Sequence, residues 1–190
     1  MTVTEVGRMG VKPGFDVMNE VSPEGRVLSQ TWRTVTTKPG GPYRVHWGLE
    51  IEDSSKIWAF MDWDCIEDHE KFANTVGSEA VKDLPTVLSH GEFTKHFDFE
   101  PFQHQEFQAP VTEMILAYFP ADISPAQKRV HSARLREFVE RGLNKCADVD
   151  SVSFGWGVED DFPVIEGREG KGEGSCGAGW LAEYRGIYAV

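Results

Sequence analysis

The stretch VHWGLEIED at residues 45–53 returns in the same order of residue types as VSFGWGVED at 152–160. Val, an aromatic, Gly and the Glu-Asp pair recur, and an internal repeat restricts the fold more tightly than composition does. Two helix starts agree with it: SPEGRVLSQTWRTV begins at Ser22 and SPAQKRVHSARLREFVERGL at Ser124. In each, Ser is an N-cap that accepts from an otherwise orphan N–H, and Pro at the next position has no N–H to lose. Gln127 sits where a capping box places it. Leu28, Trp32 and Val35, and later Leu135, Phe138, Val139 and Leu143, form apolar stripes at helical spacing. TKPGG at 37–41 ends the first helix.

Strand-like runs flank both helices. TVTEVGRMG (2–10) and VTEMILAYF (111–119) precede them and share Val-Thr-Glu; KIWAFMDWD (56–64) and GAGWLAEYR (177–185) come after. Aligning the copies sets Asp62 opposite Glu183 and Trp63 opposite Tyr184. In the first copy CIEDHEKFANTVG (65–77) predicts a second helix, Pro85 a break, and GEFTKHFDFEP (91–101) a half-buried strand. That strand alternates Phe93, Phe97 and Phe99 with Glu92, Thr94, His96 and Asp98. The order β-α-β-β-α-β is ferredoxin-like. The expected class is therefore α+β, with two ferredoxin-like repeats at 1–104 and 105–190. The second repeat is expected to be truncated, without its last helix and strand, and to carry a mobile Gly-rich loop at 160–175. A sheet left uncovered in this way predicts a homodimer.

Composition narrows the partners. With 31 acidic and 19 basic residues the net charge is −12, a field that repels phosphate backbones and anionic membranes. Neither nucleic acid nor membrane is expected as a partner. Cys65, Cys146 and Cys176 have no CxxC spacing, and the six His form no HxxxH or HxH pair, so neither a disulfide framework nor a metal site is predicted. MTVTEVGRMG lacks the apolar region of a signal peptide, and no apolar run reaches membrane length; a cytoplasmic protein is expected. GREGKGEGSCGAG lacks the Lys-Ser/Thr ending of a phosphate-binding loop, and no GxSxG occurs.

The segment MDWDCIEDHEKF, with Trp63 and Asp64 at a strand end and His69 and Phe72 on the following helix, resembles the dimeric α+β barrel superfamily. The resemblance implies two ferredoxin-like antiparallel sheets packed face to face as an α+β barrel, from two chains or, as expected here, from two repeats of one. It also implies kinship with cofactor-independent quinol or anthrone monooxygenases, polyketide cyclases and haem-handling enzymes. Fold alone does not fix chemistry, which rests on side chains.

In YRVHWGLEIED the apolar Tyr43, Val45, Trp47, Leu49 and Ile51 suit the helix side, leaving Arg44, His46, Gly48 and Glu50 for the lumen. By the same alternation Trp58, Phe60 and Asp62 join them from the third strand, and His96 and Asp98 from the fourth. Histidine is the natural base near neutral pH, and a neighbouring carboxylate orients it. The expected catalytic residues are thus His46, Asp62, Glu50 and His96, with Arg44, Trp58, Phe60 and Asp98 binding substrate. His69 is read as a helix-surface or capping residue. Proton abstraction from an acidic phenol or β-diketone gives a carbanion that cyclises, loses water or reacts with dioxygen, and needs no cofactor. The function expected is a cofactor-independent enzyme acting on an aromatic or polyketide-like small molecule as a cyclase, dehydratase or monooxygenase. The alternative is a non-catalytic barrel that binds an apolar ligand or serves a structural role, in which the same residues are packed or solvated.

Overall fold

A computed structural model describes residues 2–100, 107, 109–120, 122–162 and, for the backbone, 175–184. The chain divides into two compact units, Met1–His96 and Phe97–Val190. The boundary expected at 104/105, most of the Gly-rich loop and the last six residues lie outside the described residues.

The first unit runs β1 (Val3–Val11), α1 (Pro23–Thr37), β2 (Val45–Leu49), β3 (Lys56–Trp63) and α2 (Ile66–Phe72). A π-helical turn (Ala73–Gly77), the single turn α3 (Ser78–Ala80) and β4 (Leu88–Glu100) complete it, β4 continuing into the second unit. The strand order is β2-β3-β1-β4, the ferredoxin-like arrangement. Helix α1 starts where the Ser-Pro signal sets it: Ser22 Oγ accepts from the Gly25 N–H at 2.9 Å, with Pro23 next. It ends at Thr37, before Gly40 at φ +76°, a left-handed conformation that glycine adopts without steric cost.

One face of this sheet carries the core. Val3, Ile57, Ala59 and Trp63 from the strands bury against Leu28, Trp32 and Val35 of α1 and Phe72 and Ala80 of the second helical segment. Phe72 and Ala80 are eight positions apart, which in a straight α-helix turns them about 80° from one another. The π turn between them absorbs one residue and brings both round to the core. Val45, Trp47 and Leu49 pack on the same side, the Trp47 ring 6.3 Å from Trp32. The alternation read from YRVHWGLEIED therefore holds in β2.

The second unit runs from the end of β4 through β5 (Val111–Pro120), α4 (Pro125–Arg141), β6 (Val149–Gly157) and β7 (Ser175–Tyr184), with strand order β4-β6-β7-β5. Ser124 and Gln127 form the capping box, Gln127 Oε1 accepting from the Ser124 N–H at 2.9 Å. Leu135 and Val139 of α4 bury against Val152 and Phe154 of β6. Gly155 lies against β4 so closely that a Cβ there would sit 1.9 Å from the Asp98 carbonyl oxygen, so only glycine fits.

Strand registers in the two units correspond. In the first, β1 pairs β3 with Val3 opposite Trp63 and Thr4 opposite Asp62. In the second, β5 pairs β7 with Val111 opposite Tyr184 and Thr112 opposite Glu183. Likewise β2 sets Val45, His46 and Gly48 opposite Met61, Phe60 and Trp58, while β6 sets Val152, Ser153 and Gly155 opposite Ala182, Leu181 and Gly179.

Candidate functional site

The first unit concentrates its polar chemistry in two places. On the sheet face turned away from its helices, Arg8 of β1 is 7% exposed and bonded through Nε to Glu50 Oε2 at 2.9 Å. It also pairs with Glu92 of β4, and its guanidinium lies 5.7 Å from the Trp58 ring centroid. Trp58 Nε1 donates to the same Glu50 oxygen at 2.9 Å, and Lys56 Nζ reaches Glu92 at 2.5 Å. Burial raises the Glu92 carboxyl, but Lys56 and Arg8 outweigh it and hold that group below the usual carboxylate value. Beside this cluster Asp62, 3% exposed, accepts from Thr4 Oγ1 at 2.9 Å and from Arg44 Nε at 3.0 Å. Trp58 stacks on Phe60 at 6.4 Å and meets the edge of Phe93 at 5.6 Å, and His46 faces Phe60 across the β2–β3 pair.

Arg44, His46, Glu50, Trp58, Phe60 and Asp62 thus share one face, as alternation predicts. Glu50 and Asp62 are each held by two donors, Arg8 and Trp58 on the one and Arg44 and Thr4 on the other, an arrangement that fixes the geometry of this face.

His96 departs from the expected face. Its Nε2 lies 2.8 Å from His69 Nδ1 of α2, on the helix side of the sheet, although Glu92 of the same strand reaches Arg8 on the opposite side. Glu92 and Phe93, adjacent in sequence, both meet groups of the helix-free face. The strict alternation read from GEFTKHFDFEP is therefore broken: a one-residue irregularity after Glu92 re-aims the strand, as bulges do. Asp98 belongs to the second unit, where it stands opposite Trp156 in the β4–β6 pair. Burial, with Glu100 adding to it, pushes its carboxyl above the usual range.

The helix-side group has Glu5 as its third member. Glu5, 5% exposed, accepts from Trp63 Nε1 at 2.8 Å and lies 3.5 Å from His69 Nε2. His69 stacks on Trp63 at 4.7 Å and 27°, and Phe72 closes the other side of Trp63 at 5.5 Å. A carboxylate, two imidazoles and an indole wall are brought together by strand order, since β1 lies between β3 and β4. One ligand atom from each of Glu5, His69 and His96 lies within 4.8 Å of the others. The sequence reading missed Glu5 and set His69 on the helix surface. The available signal was a lone carboxylate at a core-facing position of the otherwise uncharged run VTEVG.

No family model matches the chain, and no curated protein sequence does. Solved structures do. A candidate monooxygenase from Lactobacillus acidophilus NCFM aligns with a TM-score of 0.58 at 6% identity, covering 96% of this chain and 76% of that one. An anthrone oxidase-like protein aligns with a TM-score of 0.57 at 11% identity, over 97% of this chain and 73% of that one. A candidate chlorite dismutase gives 0.53 at 11% identity over 97% and 80%. These likenesses establish the fold as ferredoxin-like α+β with antiparallel strand pairing. Among the described residues no helix is long and apolar enough to cross a membrane.

Proposed function

We propose that the protein is a cofactor-independent small-molecule enzyme acting on an aromatic or polyketide-like substrate, with its acid–base centre at Glu5, His69 and His96. The observation that carries this reading is the 2.8 Å contact between His69 Nδ1 and His96 Nε2, with Glu5 at the far nitrogen of His69. A proton taken from an acidic phenol or β-diketone makes the pair cationic, and the buried carboxylate stabilises that charge. The carbanion left behind cyclises, loses water or reacts with dioxygen. Trp63 supplies a flat apolar wall beside His69, which keeps 21% of its side chain exposed. The corresponding strand registers support reading the chain as two ferredoxin-like repeats, of which the first carries this centre.

A second reading places the substrate on the helix-free face, where Trp58, Phe60 and Phe93 surround Arg8 and His46 is the base. Turnover of a panel of acidic phenols and β-diketones, in metal-free buffer with dioxygen consumption followed, separates the two. The first reading expects His96→Ala to lower the rate about 10²–10⁴-fold with the fold retained, and His46→Ala to leave it near wild type. The reverse pattern moves the centre to the other face. No turnover of any member by the wild-type chain favours a ligand-binding role.

A further inference from the structure

We infer that Glu5, His69 and His96 also form a binding site for a divalent transition-metal ion. The inference goes beyond the substrate reading; it uses the same three side chains, but its test reads binding and not turnover, so either can fail alone. Two imidazoles and one carboxylate are the donor set that suits zinc, iron(II), cobalt(II) and nickel(II), whereas calcium and magnesium prefer all-oxygen shells. Metal–nitrogen and metal–oxygen bonds of about 2.0–2.2 Å put two ligands of one tetrahedral ion roughly 3.3–3.5 Å apart. The contacts here lie near that spacing, though through opposite nitrogens of His69: 3.5 Å from Glu5 Oε2 to His69 Nε2 and 2.8 Å from His69 Nδ1 to His96 Nε2. One ligand atom from each residue already lies within 4.8 Å of the others, and turning His69 so that one nitrogen faces both partners would tighten the set round one ion.

Two further features favour an ion. Trp63 Nε1 donates to the Glu5 carboxylate at 2.8 Å, an outer hydrogen bond of the kind that orients a metal-binding carboxylate. The chain's net charge of −12 raises the local concentration of cations. Three protein ligands leave at least one position open, the pattern of reactive sites as opposed to closed structural ones. Binding replaces the His69–His96 hydrogen bond, so ion and proton-sharing pair are alternative states of the centre.

The test uses the full chain stripped with chelator and titrated with zinc by calorimetry and with cobalt by visible absorption. The inference expects one saturable site per chain and the intense bands of low-coordinate cobalt. His96→Ala and His69→Ala should each weaken affinity at least about tenfold, more than loss of an outer-shell partner commonly does at the low end. Glu5→Gln, nearly isosteric, should weaken it while circular dichroism shows an unchanged fold, which covers the case in which a histidine variant unfolds. His90→Ala and His131→Ala, which are not members of the cluster, should leave it unchanged. Absence of a saturable site, or a site that survives both His69→Ala and His96→Ala, overturns the inference. Metal binding without turnover keeps the site and removes the substrate reading; turnover that depends on His96 without metal binding does the opposite.

Discussion

Glu5 of β1 and Glu113 of β5 occupy the same register position, each one residue beyond a Thr that faces an acidic residue on the neighbouring strand. Glu5 is buried against Trp63 and His69, whereas Glu113 is exposed. The same backbone plan thus gives a desolvated carboxylate in one unit and a solvated one in the other. What differs is the cover. In the first unit α2 lays His69 and Phe72 over the end of β3; the second unit shows no comparable histidine–carboxylate cluster among its described residues. Among the described residues, buried polar groups follow the same split: Thr4, Glu5, Arg8, Ser29, Thr31, Asp62 and His96 in the first unit, Ser153 in the second. A register can be reused cheaply because backbone pairing is generic, while a site depends on which side chains are desolvated together.

The sharpest way to break this comparison is through the arginines. Arg8→Met leaves Glu50 and Glu92 without the cation between them, and removing one partner of a buried ion cluster costs about 3–5 kcal/mol. Arg136→Met removes an exposed pair with Glu100 and should cost no more than about 1 kcal/mol. Urea denaturation compares them, and equal losses would show that the first unit's charges are no more structural than the second's.

The helix starts should instead behave alike. Ser22→Ala and Ser124→Ala each delete an N-cap acceptor and are expected to cost about 1 kcal/mol. A large difference between them, measured by the same unfolding curves, would break the correspondence between α1 and α4.

Asp98 offers the smallest effect. Its carboxyl is raised, first by burial and then by Glu100. The folded chain therefore keeps a proton that the unfolded chain has already released. This favours the fold below the usual carboxylate value of about 4, and the advantage is lost as pH rises through the folded-state value. Asp98→Asn should flatten the melting temperature between acid and neutral pH. A profile parallel to wild type contradicts the assignment.

How far the sequence foretold these regions follows from the range of each interaction. Ser22 and Ser124, the Pro after each, and the alternation in 43–51 act within a few residues, so helix starts and the faces of β2 were readable directly. Aligning the two halves matches Asp62 with Glu183, but that each stands opposite a Thr, Thr4 or Thr112, comes from strand pairing that the alignment does not contain. The Glu5–His69–His96 group was not readable, because its members are spread along the chain and meet only through the order β3-β1-β4. His96 was also hidden by the irregularity after Glu92, which inverts the faces of the rest of β4. A strict period of two assigns that stretch to the wrong side.

NMR of isotope-labelled imidazoles tests most directly whether the first unit holds one shared centre. The hydrogen bond between His69 Nδ1 and His96 Nε2 predicts a nitrogen–nitrogen coupling across it, lost when either ring is replaced by Gln. Glu5→Gln should shift the His69 resonances, because the carboxylate lies 3.5 Å from its Nε2. Rings without that coupling, with resonances unmoved by loss of the partner ring or of Glu5, would contradict it.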